Sequence, residues 1–274
     1  MVDWSSPSPI INHFSIRGTL GHNQYGAVYL AHDLKQNTDV ALKVSRHSRR
    51  LRHEYDTLRA LQGCAGAPEV FGFGEGDDGR GLAWMSMEHI PGASARGYIR
   101  ASGRRERLGR IKEFLRGVLA ALTHLHAAGF LHCDLKASNI IVTENGRVRL
   151  IDFGCARRMD AGRCSGARFA GTCTHAPPEQ LVGGTLDART DLFSFGVLAY
   201  DLLAERLPFM GTTPHQALRE IVSQKPRPPE PAPPELASLV MSSIASCPEA
   251  RPSSAADALQ MMNGSQPRSL RQPR

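Results

Sequence analysis

The sequence predicts an α+β fold with two lobes: a small antiparallel β-sheet that carries one main helix, followed by a larger, mostly helical lobe. Three observations predict it. Short β-like runs alternate with turns as far as Glu88, an amphipathic helical stripe begins at Leu108, and a nearly continuous apolar run follows Asp191. A chain of 274 residues is long enough to bury the core of such a molecule.

The predicted sheet of the first lobe consists of four runs of strand-forming residues. In chain order they read FSIRGTLG, AVYLAHD, VALKV and LAWMSME, and turn residues separate them. Between the last two runs, Leu51, Tyr55, Leu58 and Leu61 recur at intervals of three and four. This spacing predicts one helix with an apolar face and a basic opposite face.

The second lobe is predicted to contain a long helix near its start. The apolar positions of this helix form one stripe, and Gly129 can end it by adopting the left-handed conformation. The stripe consists of Leu108, Ile111, Leu115, Val118, Leu122 and Leu125. Farther on, IIV and VRLI flank Asn145-Gly146, which predicts a hairpin whose turn can be longer than two residues.

Three further segments complete the predicted organisation. The run TDLFSFGVLAYDLLA is apolar nearly all round, which predicts a helix buried within the helical lobe. Residues 225–234 are rich in proline and predict a rigid connector between two helices, with a polyproline II ligand for an adaptor domain as the alternative. The basic tail, residues 263–274, lacks apolar periodicity and is predicted to be disordered.

Composition and charge exclude several classes of protein. No apolar run is long enough to span a bilayer, and the N-terminus lacks the pattern of a secretory signal, so we expect a cytoplasmic protein without a membrane span. The formal net charge is +7, but the basic clusters 46–52 and 96–112 lack the interleaved aromatic residues of a single-strand binder. We therefore expect no nucleic-acid partner.

The six cysteines include no CxxC pair, which disfavours both a zinc site and a disulfide framework. We expect reduced thiols whose role is packing. An oxidant-sensing role for Cys155 and Cys164 is the alternative.

A turn and a lysine in the first lobe indicate an anion-binding site. The segment LGHNQYGAV, residues 20–28, lies between two predicted strands, where backbone N–H groups can cradle phosphates; an ordinary hairpin turn is the alternative. Lys43 follows in VALK, and a lysine on the inner face of a strand requires an anionic partner because an unpaired buried charge is costly. Glu54 or a phosphate group can supply that partner.

A second group of polar residues follows the long helix. The stretch LHCDLKASN contains Asp134, Lys136 and Asn139, and Asp152 follows the hairpin in IDFG. Two carboxylates and an amide, brought together by a loop and a hairpin, offer the oxygen ligands that Mg²⁺ prefers. This chemistry is typical of phosphoryl transfer.

Eight segments in this order resemble the eukaryotic-type, or Hanks-type, serine/threonine protein kinase family: LGHNQYGAV, VALK, Glu54, HCDLKASN, DFG, PPE, DLFSFG and CPEARPS. The resemblance covers residues 14–262. It implies a protein kinase domain with an N-lobe at 14–88, a hinge at 89–92 and a C-lobe at 93–262. The spare architecture is similar to that of a soluble bacterial member of the family.

The resemblance implies ATP-dependent phosphorylation of serine or threonine hydroxyls on protein substrates. Asp134 then orients the attacking hydroxyl, Lys136 stabilises the transferring phosphate, and Asn139 and Asp152 hold Mg²⁺, or Mn²⁺ in its place. Lys136 and the Gly171-Thr172 pair fit the serine/threonine form of these motifs. A nucleotide-binding pseudokinase and a phosphotransferase for small molecules on the same fold are the alternatives.

The resemblance also implies which residues bind the nucleotide. The phosphate loop covers the terminal phosphate, Lys43 contacts the α- and β-phosphates while paired with Glu54, and backbone groups of the hinge hold adenine. The implied residues are Leu20, Gly21, His22, Asn23, Gln24, Tyr25, Gly26, Ala27, Val28, Ala41, Lys43, Glu54, Met87, Glu88 and Ile90.

Three features depart from the family pattern. Cys133 stands where the family carries the arginine that pairs with a phosphorylated activation segment, so the loop is of the non-RD type and we expect activity without phosphorylation of Ser165 in that segment. Asn23 replaces a glycine of the phosphate loop, which predicts weaker nucleotide binding. The short interval between Lys43 and Glu54 predicts that the helix bearing Glu54 begins late.

Overall fold

The computed structural model describes residues 10–75, 81–101, 103, 105–161 and 169–264. From residue 265 onward the predicted tail lies outside these residues. Cys164 and Ser165, to which the oxidant-sensing and phosphorylation hypotheses refer, also lie outside them.

The chain divides into two compact units. The first comprises Met1–Pro91 together with Asp152–Gly154, and the second comprises Gly92–Ile151 together with Cys155–Arg274. A sheet and one helix make up the first unit, and helices predominate in the second. The predicted α+β fold class is confirmed.

The first unit contains six strands. They are β1 (Ile10–Ile11), β2 (Phe14–Asn23), β3 (Gly26–Asp33), β4 (Thr38–Ser45), β5 (Val70–Glu75) and β6 (Ala83–Glu88). All six join one antiparallel sheet in the order β1-β2-β3-β4-β6-β5. The four predicted strands are confirmed as β2, β3, β4 and β6, whereas the sequence did not predict β1 and β5.

The sheet packs one face into an apolar core. Along β3, buried and partly exposed residues alternate, as they do in a strand with one covered face. Phe14, Tyr29 and Leu42 are at most 1% exposed, and Trp84 lies edge-on to Phe14 with ring centroids 5.0 Å apart. This core fixes the register of β4, in which Lys43 lies between Val28 and Met85.

Helix α1 (Ser48–Ala60) follows β4 after a short connection. Leu51 and Leu58 are buried on the predicted apolar face, and Leu61, just past the end of the helix, is buried as well. Glu54 is also buried, at 2% exposure, although a carboxylate is rarely found inside a protein without a partner. The predicted helix is confirmed, and its apolar face carries one charged residue inward.

The second unit contains seven helices and five short strands among the described residues. The helices are α2 (Ala95–Arg100), α3 (Arg107–Ala127), α4 (Pro178–Leu181), α5 (Ala188–Ala204), α6 (Pro214–Ser223), α7 (Pro234–Ser243) and α8 (Ala255–Met262). The strands are β7 (Gly92–Ser94), β8 (Phe130–Leu131), β9 (Ile140–Thr143), β10 (Val148–Leu150) and β11 (Arg157–Arg158). Helix α3 packs against α5 and α8, and α5 packs against α7.

The predicted elements of this unit are present. Helix α3 buries most of its predicted stripe, and Gly129 follows it with a φ of +80°, the left-handed value that ends a helix. β9 and β10 form the predicted hairpin, and its turn, residues 144–147, is longer than two residues. Helix α5 is buried nearly all round, and the proline-rich segment 225–234 connects α6 to α7.

Within the described part of the chain, no helix has both the length and the apolar composition needed to cross a membrane.

Candidate active site

Lys43 in the first unit is held by two carboxylates. Its Nζ donates to both carboxylate oxygens of Glu54, at 2.8 and 2.7 Å, and to Oδ1 of Asp152 at 2.9 Å. The Glu54 side chain is 3% exposed, whereas that of Asp152 is 45% exposed. The cluster therefore has a buried side, at Glu54, and a solvent-facing side, at Asp152.

The electrostatics of this cluster keep Lys43 cationic. Burial by itself would lower the pKa of Lys43, but the negative charges of Glu54 and Asp152 outweigh that effect, and its pKa lies above the ordinary value. A lysine that stays charged in a largely enclosed place is suited to bind an anion such as a phosphate.

The elements around the cluster explain its geometry. Leu51 and Leu58 anchor α1 to the unit, and Glu54 lies on the same face between them. A Cβ atom at Gly154 would lie 3.4 Å from Oε2 of Glu54 and 3.6 Å from Nε of Arg50. These are ordinary van der Waals distances, so the segment after Asp152 passes close to the helix.

The predicted phosphate loop is the turn between β2 and β3. The strands extend to Asn23 and from Gly26, so only Gln24 and Tyr25 lie between them. Oδ1 of Asn23 accepts hydrogen bonds from the N–H groups of Tyr25, at 2.8 Å, and Gly26, at 3.2 Å. Gly26 fits tightly because a side chain there would collide with the Val44 carbonyl.

The other implied nucleotide-binding residues lie on the same sheet or just past its end. Leu20, Gly21 and His22 belong to β2, Ala27 and Val28 to β3, Ala41 to β4, and Met87 and Glu88 to β6. Ala41 and Met87 are direct partners in the ladder between β4 and β6. Ile90, two residues past β6, is 7% exposed.

The second unit brings Asp134, Lys136 and Asn139 together. Oδ2 of Asp134 accepts hydrogen bonds from Lys136 Nζ, at 2.9 Å, and from Asn139 Nδ2, at 3.1 Å. Lys136 also donates to the Thr172 hydroxyl at 2.7 Å. The other oxygen of Asp134, Oδ1, is buried and has no hydrogen-bond partner among the described residues.

Asp191 holds the backbone of this loop in place. Its carboxylate, on α5, accepts hydrogen bonds at 2.9 Å from the backbone N–H groups of His132 and Cys133 and from Nε2 of His126. Burial would raise the pKa of Asp191, but the hydrogen bond and charge of His126 help to lower it below the ordinary value. An ionised, buried carboxylate thus stabilises a loop in which Cys133 has a φ of +60°.

A buried ion pair fixes the segment that precedes α5. Arg251 donates to both oxygens of Glu179, at 2.7 and 3.0 Å, and the Arg251 side chain is fully buried.

Sequence reasoning missed two residues that contact this region. Nε2 of Gln180 donates to the carbonyls of Cys133, at 2.8 Å, and Ala170, at 3.0 Å, and so connects the loop to the segment before α4. Arg96 is paired with the buried Asp201 at 2.5 Å. Gln180 carried no sequence signal, because a glutamine in a short helix is unremarkable before its neighbours are known.

Each unit offers an oxygen ligand of the type that a hard divalent cation takes. In the first unit Asp152 has a partly exposed carboxylate, and in the second unit Asn139 has an amide oxygen. Mg²⁺ commonly keeps several waters and takes only one or two carboxylates from a protein. Among the described residues, no group of three His, Cys, Asp or Glu forms a ready-made metal cluster, as would a structural zinc site.

Known proteins match most of the chain. A family described as protein kinase domain matches residues 14–263. A probable serine/threonine-protein kinase of Streptomyces coelicolor is 34% identical over 84% of the chain, and serine/threonine-protein kinase PknB of Mycolicibacterium smegmatis is 31% identical over 92%. Serine/threonine-protein kinase pkn2 of Myxococcus xanthus is 33% identical over 90%.

The chain spans less than half the length of these relatives. The matched region covers 36%, 43% and 32% of the three proteins, in the order given.

Proposed function

Because this chain belongs to the protein kinase family, we propose that it transfers the γ-phosphate of ATP to serine and threonine hydroxyls of protein substrates. The observation that carries the proposal is how the two carboxylate oxygens of Asp134 are hydrogen-bonded. One of its oxygens is held by Lys136 and Asn139, while the buried Oδ1 has no partner among the described residues. An oriented carboxylate with one unused acceptor is suited to receive a proton from an alcohol.

In the proposed reaction, Asp134 Oδ1 accepts a hydrogen bond from the substrate hydroxyl and takes up its proton as the oxygen attacks the γ-phosphorus. The bond from that phosphorus to the bridging oxygen breaks, and ADP leaves. Lys136, which contacts both Asp134 and Thr172, is placed to stabilise the negative charge of the transferring group. Positioning and electrostatics supply most of the acceleration in such a transfer.

The nucleotide-binding role is proposed for the first unit. Lys43 contacts the α- and β-phosphates, and Glu54 holds it in place. The turn at Asn23–Gly26 covers the terminal phosphate, with Tyr25 at its tip. We further propose that the domain spans 14–262. Backbone groups of Glu88, directly before the hinge 89–92, and of Ile90, within it, bind adenine while Met87 lies behind it.

Asn139 and Asp152 are the proposed metal ligands. Mg²⁺, or Mn²⁺ in its place, would supply positive charge that neutralises the phosphate oxygens. Within the second unit, Asn139 donates its amide to the carbonyl and to Oδ2 of Asp134. Within the first unit, Lys43 donates to Oδ1 of Asp152.

Two alternatives are disfavoured by particular residues. A pseudokinase typically lacks the lysine, the catalytic aspartate or the metal-binding aspartate, whereas Lys43, Asp134 and Asp152 are all present and in hydrogen-bonded positions. A small-molecule phosphotransferase ordinarily lacks the segment around Glu179, which Arg251 anchors here. We also propose a cytoplasmic location, which the free cysteine thiols of the described residues support.

The test is transfer of labelled phosphate from ATP to a mixture of protein substrates in the presence of Mg²⁺. We expect Asp134→Asn, which keeps the shape of the side chain, to lower the rate by about 10²–10⁴-fold. Lys43→Met should also abolish transfer. Asp56→Asn, an exposed aspartate on α1, is the matched control and should leave the rate unchanged. Undiminished transfer by Asp134→Asn would refute the proposal.

A further inference from the structure

Arg96 lies on a helix next to the proposed catalytic loop, residues 131–139, and it pairs with a buried carboxylate. It belongs to α2, which packs against the 3-10 helix Ala137–Asn139. Its NH2 donates to Oδ2 of Asp201, on α5, at 2.5 Å. The Asp201 side chain is 7% exposed, whereas that of Arg96 is 54% exposed. The pair therefore joins a buried anion to a cation that faces solvent.

The same 3-10 helix connects Arg96 to the proposed catalytic aspartate. It includes Asn139, whose Nδ2 donates to Oδ2 of Asp134 at 3.1 Å. Helix α2 therefore packs against a segment that holds the Asp134 carboxylate. A peptide that presents a hydroxyl to Asp134 accordingly has flanking residues close to α2, the helix that carries Arg96.

The charges of this surface determine what it can bind. Asp134 and Asp201 are each paired with a cation of the same chain. Asp134 pairs with Lys136 at 2.9 Å, and Asp201 pairs with Arg96 at 2.5 Å. Without Arg96, the Asp201 carboxylate would attract a lysine or arginine of a substrate. With Arg96 in place, that position is taken, and a guanidinium with five N–H donors is presented instead.

We propose that Arg96 determines the acceptor preference of the proposed kinase activity, so that hydroxyls flanked by acidic residues are favoured over hydroxyls flanked by basic ones. The inference rests on the proposed function. A substrate carboxylate can accept charge-assisted hydrogen bonds from the exposed part of the guanidinium. A substrate lysine would meet a like charge and find Asp201 already paired.

The test uses three peptides with the same serine acceptor and flanking residues that are glutamate, glutamine or lysine. The measured quantity is kcat/KM for each peptide with the whole chain. We expect the glutamate peptide to exceed the lysine peptide by about tenfold, the effect of one charge-assisted contact. Arg96→Gln should reverse or abolish this ratio, because it removes the cation and makes Asp201 available to the lysine peptide.

Three further variants separate the explanations. Arg96→Lys keeps the charge and should keep the preference. Arg96→Gln combined with Asp201→Asn removes both charges and should bring the ratio of kcat/KM for the glutamate and lysine peptides close to one. This double variant leaves no unpaired carboxylate that could impair folding. Arg100→Gln removes an exposed arginine from the same helix and should leave the ratio unchanged.

The inference is overturned if Arg96→Gln keeps the wild-type ratio, or if Arg100→Gln shifts the ratio equally, since the preference would then arise from overall charge. Binding of the same peptides, measured by fluorescence anisotropy, provides the comparison without phosphate transfer. A chain that binds the peptides with the expected preference but phosphorylates none would refute the proposed function and leave the role of Arg96 in place.

Discussion

Single side chains in this molecule are held by partners that define their chemistry. Glu54 is the clearest case, because a buried carboxylate accepts both of its short hydrogen bonds from Lys43. The short interval between the two residues predicted that the helix bearing Glu54 begins late. The structure contains the pair, with α1 beginning at Ser48, six residues before Glu54.

Glu54→Gln should lower kcat/KM for ATP by about 10–100-fold, because a hydrogen bond to a charged group is worth about 1.5–3 kcal/mol. The amide keeps the shape of the side chain but leaves Lys43 with Asp152 as its charged partner in the cluster. Steady-state kinetics with varied ATP measure the change. Glu113→Gln, an exposed glutamate on α3, is the control, and an intact rate in Glu54→Gln would contradict the assignment.

His175 should make the stability of the chain depend on pH. Burial, together with Lys136 and Arg96, lowers the pKa of His175 to about 4, against the opposing charge of Asp134, whereas the ordinary value is 6.5. As pH falls below 6.5, the unfolded chain takes up a proton that the folded chain does not, so stability is lost until pH reaches about 4.

His175→Gln removes this proton-binding difference. Urea unfolding at pH 7 and at pH 5 should therefore show a smaller loss of stability in the variant than in the wild type. His124→Gln, an exposed histidine on α3, should keep the wild-type loss. Equal losses in the His175 variant and the wild type would show that His175 is not buried in its neutral form.

Among the elements, the hairpin of β2 and β3 shows how one side chain changes a binding loop. Asn23 satisfies the N–H groups of Tyr25 and Gly26 with its own oxygen. In a phosphate loop these N–H groups are donors for the nucleotide. The side chain therefore competes with the ligand for them, which gives the expected weak nucleotide binding a physical cause.

Asn23→Ala and Asn23→Gly should both tighten ATP binding, by about threefold to tenfold, because each frees N–H groups whose hydrogen bonds are worth about 1 kcal/mol. Calorimetry with ATP and Mg²⁺ measures the dissociation constant. Asn145→Ala, in the turn between β9 and β10, serves as the control. Unchanged or weaker binding in both Asn23 variants would mean that these N–H groups do not contact phosphate.

The elements also show what the sequence could and could not predict. Periodic apolar residues predicted α1, α3 and α5, because burial of one face or of a whole helix leaves a regular pattern. β5 was missed because Gly72 and Gly74 weaken its strand signal. In the sheet, Gly74 pairs with Trp84, and a Cβ at Gly74 would lie 2.5 Å from the indole ring. The contact with Trp84 therefore explains why a glycine stands in this strand, which local strand propensity does not.

The same limit applies to the site. Lys43, Asp134, Asn139 and Asp152 were predicted because they belong to short segments with a recognisable order. Arg96 and Asp201 lie 105 residues apart in the chain, and only the packing around α5 shows that they meet. Pairs of this kind depend on the distance between elements, which no local pattern encodes.

At the scale of the whole molecule, the contacts that hold the loop around Cys133 bear on whether phosphorylation controls the proposed activity. The sequence predicts that Cys133 replaces an arginine that would bind a phosphorylated segment, and in the structure the loop is held by Asp191 and by Gln180. These hydrogen bonds involve backbone groups and need no phosphate. They support the expectation that the kinase is active without phosphorylation of its activation segment.

The protein treated with phosphatase should therefore keep its transfer rate within about twofold, as should Ser165→Ala and Thr174→Ala, since no phosphate-binding arginine follows His132. The rate of the first turnovers, before new phosphate accumulates, is the measurement. Thr172 is unsuitable for this purpose because its hydroxyl contacts Lys136. Loss of activity in Ser165→Ala, restored by Ser165→Asp, would contradict the expectation.

The path of the chain through the two units restricts where the protein can be divided into two separately expressed pieces. Asp152–Gly154 belongs with Met1–Pro91, although the residues before and after it belong to the other unit. A fragment ending at Pro91 would lack the aspartate that Lys43 contacts, so separately expressed halves cut at that point would not be self-sufficient. A split version of this protein that keeps the whole first unit in one piece needs its break after Gly154.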